Sequence, residues 1–489
     1  MTTLLLALLL GSLALVLLSD DWRSGLLLTV VIGFAQDPLR KLTPGQPAFY
    51  VGLVLIAFVG SAFVLYQKRG GRLDLPLMFA TNPNLTNWLS PLVLLLLFQS
   101  FNGLQRWGMP VRVLIGLGFY LAPLVGLWVG FQLGRDQRLL RRLLLLYLAG
   151  AGLFAFTAFL DYRGINSPLF DAIGGGQLIH FRYGFYTKGA TGLWRSTDLA
   201  AIHLTIAACL AVIFAFSGST GVPRIRWLVL AGSLAVISLF TGRRKAIVQF
   251  VVFIGLFLLL VNRYGSSSNR RQLLGGVVVA AGLASLVFVL EPSEFLGGDF
   301  GEYVDRAGSA PRDLLDRFNA LGLNAFQRGL EISEGIGLGV GTLAQTGAAN
   351  IGQVQIASGT YVSESGIGKL VAELGVPGLI VLLGLFWGLT QTLLRNLSLL
   401  RLLPPQTAVF EIGLLAFALS NLPFFSSAAG VYGDPFVLIL CGISFGSVLA
   451  VPALAQQQAR AQQALAMQAH QAALGSSSAA PETGFAGGG

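Results

Sequence analysis

Long apolar runs separated by short polar connections account for most of the chain. They occupy residues 3–18, 22–36, 48–66, 87–101, 111–133, 143–160, 197–216, 227–241, 245–262, 273–290, 370–394, 408–424 and 433–452. A helix rising about 1.5 Å per residue crosses a hydrocarbon core of about 30 Å with roughly 20 residues, and most of these runs approach that length. Lipid cannot satisfy exposed N–H and C=O groups, so each run is expected to be helical. The pattern predicts an all-α polytopic membrane protein with about 12–13 transmembrane helices.

Three segments interrupt the pattern. Residues 161–197 are rich in aromatics and glycine and read as a loop anchored in the membrane interface. Residues 292–368 are the longest polar stretch, expected to form one large external loop that carries chemistry. Residues 453–489 begin as an Ala/Gln-rich helix and decay into "GSSSAAPETGFAGGG", a composition that builds no core and reads as a disordered cytoplasmic tail. Residues 1–452 are then the membrane domain.

Composition agrees with this reading. The chain is 54% hydrophobic and only 11% charged, where soluble proteins carry about 25% charged residues. Its formal charge of +10 is scattered over short connections. No basic stripe with interleaved aromatics is present, so the expected partner is the bilayer and not nucleic acid. The opening "MTTLLLALLLGSLALVLLSDD" lacks a basic n-region and a small-residue cleavage site, and reads as a retained first helix. Cys209 and Cys441 lie inside apolar runs and read as packed thiols.

The basic connections "GRDQRLLRR" (134–142), "PRIR" (223–226), "NRYGSSSNRR" (262–271) and "RNLSLLR" (395–401) alternate along the chain, so all four can share the cytoplasmic side. Segments 161–197 and 292–368 then face outward. So does "TGRRK", which sets Arg243, Arg244 and Lys245 between two apolar runs. A lysine or arginine at mid-bilayer costs about 2.5–3.5 kcal/mol on insertion scales, so three together need a surface or a partner. The run before them is short, Thr241-Gly242 suits a helix end, and the cations open the next helix. Cations stacked on a helix N-terminus are unfavourable alone, and a bound phosphate reverses that balance. The reading is a site for a phosphorylated, membrane-resident substrate.

In the long outer segment, Leu314, Phe318, Leu321 and Ala325 recur at helical spacing and predict an amphipathic helix on the membrane surface. Arg317 lies off that stripe, either as a solvated charge or as a second phosphate ligand. The glycines of "EGIGLGVG", including Gly339 and Gly341, allow close backbone approach, an anion-binding nest or a flexible loop. Glu364, Lys369 and Glu373 enter the following apolar run in succession. Lys369 and Glu373 are four apart and can pair with each other. Glu364 has no local partner and suits a general base when partly buried.

At these residues the chain resembles the O-antigen ligase and O-antigen polymerase (Wzy-type) family of polytopic membrane proteins. The likeness rests on Arg244 in "TGRRKA", on Arg317 ahead of the "GLGVG" turn, and on Glu373, Gly375 and Gly378 in "ELGVPG", within residues 195–450. Family ligases usually show His-Asn nine residues before that glutamate. Here Glu364-Ser365 stands in its place, which favours a divergent polymerase or another relative of the family over a strict ligase. The resemblance implies a GT-C-like, cofactor-free and metal-independent inverting glycosyltransferase of the plasma membrane. Its donor would be a polyprenyl-diphosphate-linked glycan and its acceptor a glycan or lipid. Its active site would face the outer, periplasmic side, alongside other polysaccharide-assembly membrane proteins. Arg244 and Arg317 would act on the diphosphate with help from Arg243 and Lys245, and Glu364 would take the acceptor proton. Lys369, Glu373, Gly339 and Gly341 would line the substrate site. The competing classes are a transporter or flippase for a lipid-linked or anionic solute, which would use the same cations, and a non-catalytic assembly factor docking through the Ala/Gln tail.

Overall fold

A computed structural model describes residues 6, 7, 10, 11, 13, 14, 18, 20–68, 75–173, 178–180, 186–218, 221–266, 301, 303, 304, 316, 318–343, 364–427 and 432–477. The apolar run 273–290, Arg317 and most of the 292–368 segment lie outside the described residues. The helices are α1 (Trp22–Leu42), α2 (Leu53–Lys68), α3 (Leu75–Thr81), α4 (Pro83–Trp107), α5 (Pro110–Arg135), α6 (Gln137–Tyr162) and α7 (Thr197–Ser217). They continue as α8 (Arg224–Leu239), α9 (Arg244–Tyr264), α10 (Ala325–Ile332), α11 (Gly366–Leu399), α12 (Pro405–Ser427), α13 (Pro435–Leu449) and α14 (Val451–Ser477).

Local sequence explains where the helices start. The side chains of Asp21, Asp136, Ser196, Ser365 and Asp434 accept from the free backbone N–H groups at the starts of α1, α6, α7, α11 and α13. Pro83, Pro110 and Pro435 take first-turn positions that need no donor. Gly108 closes α4 and Gly218 closes α7, each in the left-handed conformation.

Seven helices among the described residues are long and apolar enough to cross a membrane, or eight if α13 and α14, bent by 42°, form one span. The chain is a multi-pass membrane protein by this architecture. The expected runs 22–36, 87–101 and 227–241 form helices α1, α4 and α8, but α8 has only 16 residues and α1 and α4 carry polar side chains such as Asp37, Arg40, Gln99 and Asn102. One exception to the all-helical reading lies in the 161–197 segment, where Leu178–His180 and Tyr186–Lys188 form a short antiparallel pair. The Ala/Gln stretch is helical through Ser477, as the good helix propensity of Ala and Gln favours. Residues 478–489, where the composition decays, lie outside the described residues.

Connections alternate between two ends of the bundle. Lys41 donates to the carbonyls of Leu169 and Gly192, Arg195 bonds Asp37 and Arg243 bonds Thr197. The end of α1, the 161–197 segment and the "TGRRK" turn therefore share one end. At the opposite end Gln137 donates to Glu411, Arg401 to the Arg263 carbonyl, and Arg395 to the Thr81 carbonyl. The contacts place "TGRRK" at the end opposite Gln137, Arg263, Arg395 and Arg401, as expected for the connections at 134–142, 262–271 and 395–401.

The tightest seam runs between α5 and α13, which lie parallel. Gly126 faces Gly442 and Gly130 faces Gly446, backbone against backbone, and Gly134 lies against Ser447 and Ala450. In lipid, where burial of apolar surface drives little association, such close approach supplies the packing energy. A Cβ at Gly446 would collide with the Leu127 carbonyl oxygen. Gly446→Val is expected to cost about 1–3 kcal/mol by overpacking. Thermal unfolding of the detergent-solubilised protein should show a clear loss, and an unchanged transition would show that the seam does not hold α5 to α13.

Candidate functional site

The basic corner is built by backbone geometry. Gly242 adopts φ +67°, a left-handed turn that lets α8 stop and α9 begin two residues later. The Thr241 hydroxyl donates to the Ser238 carbonyl at 2.7 Å and accepts from the Arg243 N–H at 3.3 Å. Arg243 occupies the position before α9, and Arg244 and Lys245 form its first turn, half-buried. Arg243 does not point freely outward. Its Nε donates to the Thr197 hydroxyl at 2.8 Å, and its Nη2 lies 3.2 Å from Asp198 Oδ2. Both partners sit in the first turn of α7, so the first cation of the corner is fixed by a neighbouring helix.

Beneath the corner, Phe240 accepts from the Ala190 N–H at 2.9 Å through its carbonyl. Its ring stacks on Tyr162 at 3.9 Å, with Tyr303 edge-on. Tyr303 belongs to the 292–368 segment and donates to the Lys188 carbonyl at 2.8 Å. Parts of both interrupting segments therefore meet beside the corner. One turn into α9, Gln249 donates to Asn421 Oδ1 of α12 at 3.1 Å, and Tyr432 donates to the same oxygen at 3.0 Å.

The helices α9 and α12 run antiparallel, so the Gln249–Asn421 contact brings Lys245 level with Phe425. Gly366, the first residue of α11, lies against the Phe425 carbonyl. Glu364, just ahead of it, thus belongs to the same end of the bundle as the cations. It is exposed, so the partial burial expected for a base is not present in this arrangement. Ser365 caps the helix by accepting from the Gly368 N–H at 3.0 Å.

Lys369 and Glu373 are joined by a 2.8 Å ion pair, and the pair anchors a loop. Glu373, wholly buried, also accepts from the Leu343 N–H at 2.8 Å and the Tyr120 hydroxyl at 2.7 Å. Lys369 bonds the Leu343 carbonyl at 3.1 Å. The glycine loop 335–343 enters a break in α11, where Gly375 is non-helical at φ 65°, ψ −162° and Pro377 follows. Four loop donors are consumed by carbonyls: Gly337 by Ser333, Leu338 by Ala372, Gly339 by Glu373 and Val340 by Gln99. Gly339 packs on Gly103 and Gly341 on the Arg112 carbonyl. Of the three readings of this loop, close backbone approach is the one its contacts match. Lys369, Glu373, Gly339 and Gly341 form the loop anchor, and the ion pair and loop N–H groups are spent on protein partners.

The amphipathic helix is present over residues 318–332, with Asn319–Asn324 in a wider π turn. Its buried stripe is Leu321, Ala325 and Gly329, and Ala325 and Gly329 meet Gly368 of α11. Phe318, expected on that stripe, is 57% exposed. The helix docks on α11 through small residues, because Gly329 and Gly368 allow backbone contact there. Arg317 itself lies outside the described residues.

A second polar centre went unrecognised in the sequence. Arg195 bonds Asp37 Oδ1 at 2.7 Å and approaches Asp434 Oδ2 at 3.1 Å. His203 Nε2 lies 3.9 Å from the same Asp434 oxygen, and its Nδ1 is 2.8 Å from the Tyr147 hydroxyl. All five side chains are buried. The available signal was an ionisable residue at the edge of an apolar run, Asp37 after 22–36 and Asp434 at the head of 433–452. Nearby, burial pushes the Lys41 ammonium down to about 8, against the pull of Asp37, Asp161 and Asp171. Among the described residues, no three His, Cys, Asp or Glu side chains gather as a metal would require.

Glu373→Ala would leave the Lys369 ammonium without its counter-ion and the Tyr120 hydroxyl and the Leu343 N–H without their acceptor, a loss of about 3–5 kcal/mol. Thermal unfolding in detergent should fall well below that of the parent chain, and an equal transition would remove Glu373 from the anchor role. No protein-family model matches the sequence, and no curated protein matches it.

Proposed function

We propose that this protein is a membrane glycosyltransferase of the O-antigen ligase or polymerase type. It takes a glycan from a polyprenyl-diphosphate-linked donor and transfers or polymerises it at the outer face of the plasma membrane. The observation that carries this reading is the turn Arg243–Arg244–Lys245, which opens a membrane helix at the end of the bundle that also holds the start of α11 and Glu364. The positive end of a helix dipole beside guanidinium and ammonium groups favours a diphosphate. The four basic connections at the opposite end support a cytoplasmic side there and an outward-facing corner.

In this reading Arg244 and Lys245, with Arg243 held by Thr197 and Asp198, neutralise the departing lipid diphosphate as the glycosidic bond breaks. Glu364 accepts the proton of the acceptor hydroxyl as oxygen attacks the anomeric carbon on the opposite face. The exposure of Glu364 leaves it open to an incoming acceptor. Arg317 is proposed as a further phosphate ligand on the sequence resemblance alone. The same resemblance supports a GT-C-like architecture and a role in cell-surface polysaccharide synthesis.

Two variants test the assignment in lipid, with a polyprenyl-diphosphate oligosaccharide pool as donor. Arg244→Ala should reduce transfer at least about 100-fold, the scale of losing one transition-state charge contact, while membrane insertion is unchanged. Undiminished turnover would end the diphosphate reading, and donor binding without any product would favour a transporter. Glu364→Gln should slow the single-turnover rate by about 100-fold or more with donor affinity retained. An unaltered rate would take the base role from Glu364. Product size separates the two activities, since a ladder of repeat units means polymerase and one discrete adduct means ligase.

A further inference from the structure

The buried centre around His203 has no part in the transfer chemistry. We infer that His203 is a reversible proton-binding site inside the membrane domain, built to hold both the neutral and the protonated imidazole. The evidence is geometric. In the neutral ring, Nδ1 accepts from the Tyr147 hydroxyl at 2.8 Å, leaving the hydrogen on Nε2 directed at Asp434 Oδ2, 3.9 Å away. Protonation at Nδ1 makes that nitrogen a donor, so the Tyr147 hydroxyl must turn and give its own hydrogen elsewhere. An acceptor stands ready, the His203 carbonyl oxygen at 3.5 Å from Tyr147 Oη. Nδ1 and the hydroxyl therefore have a partner in either state, and Nε2 faces the Asp434 carboxylate across 3.9 Å. The bookkeeping closes with one proton taken from water and none lost by the protein.

The new charge also has its counter-ion in place. Asp434 faces His203 from the head of α13, and Tyr147 faces it from α6. Asp37 and Arg40 from α1 and Arg195 from the segment before α7 complete the charged groups on that side, with Arg195 placed between Asp37 and Asp434. The remaining walls are aromatic: Trp194 stacks on the imidazole at 6.2 Å with planes 8° apart, and Phe34 and Phe436 flank it. The thiols of Cys209 and Cys441 lie within electrostatic reach of Tyr147. A fully enclosed imidazole between a hydroxyl that can reverse and a carboxylate is the arrangement of a proton relay in membrane proteins.

The site is coupled to the basic corner by chain connectivity. Arg195 leads through Ser196 into Thr197 and Asp198, the residues that hold Arg243. A proton on His203 draws Asp434 toward the imidazolium and away from Arg195. The tie that fixes the first turn of α7 is thereby weakened by one proton.

The test needs no substrate and stands apart from the transfer reading. The chain has 3 histidines, so the double variant H180Q/H470Q leaves His203 alone. Ring-nitrogen-labelled protein in lipid would be followed by solid-state NMR from about pH 5 to about pH 9. The ring signals should convert from the neutral to the imidazolium pattern as pH falls, and Asp434→Asn should weaken the proton affinity about tenfold or more by removing the facing charge. One protonation state across the range would overturn the inference, as would a titration indifferent to Asp434→Asn. Should that variant fail to fold, the titration of H180Q/H470Q decides alone.

Discussion

The guanidinium of Arg195 is the fixed point of this fold. It is buried in an apolar bundle, where an uncompensated charge costs far more than the few kcal/mol by which a protein is stable. It survives there by touching Asp37 at 2.7 Å and Asp434 at 3.1 Å, while the Arg195 backbone N–H donates to Asp37 at 3.1 Å. Removing one partner from such a buried set typically costs about 3–5 kcal/mol. The set joins α1, the segment entering α7, and the start of α13. Since Asp434 also caps α13 by accepting from the Phe436 N–H at 2.8 Å, one carboxylate serves both the ion pair and a helix start.

From that point the outer-facing features proposed above fall into place. Arg195 fixes Ser196, Ser196 caps α7, and the first turn of α7 presents Thr197 and Asp198 to Arg243. On the other flank of the bundle, Glu373 performs a similar service. It draws Lys369, Tyr120 and the end of the glycine loop into the break of α11, so the loop is held by side chain and backbone together. Gln99 and Asn102 of α4 add donors to the loop carbonyls of Ile336 and Gly337. Non-helical backbone within the bundle is tolerated because protein groups satisfy it.

Proposed function and inferred proton site meet at the start of α7. A transferase acting on a charged lipid head must hold several cations near each other without a ligand present. The Asp198 carboxylate beside Arg243 lowers that repulsion. The His203 centre, five residues along the same helix, gives the first turn of α7 a means of responding to protons. The two readings rest on separate contacts and can fail separately.

Periodicity and length determined the helical, membrane-spanning class, because lipid admits few alternatives for an apolar run. They also located the glycine turn at Gly242 and the Lys369–Glu373 pair, both set by neighbours within about four residues. The alternation of basic connections carried the two-ended arrangement. Partners distant along the chain were beyond its reach. Asp198 became the companion of Arg243, and Asp37, Arg195, Asp434 and His203 became one centre, only when α1, α6, α7, α9 and α13 packed together. The glycines Gly339 and Gly341 fitted several roles until Gly103 and Arg112 were seen to occupy the space against them. Local chemistry is written in consecutive residues, whereas the burial that gives a charge its meaning exists only between helices.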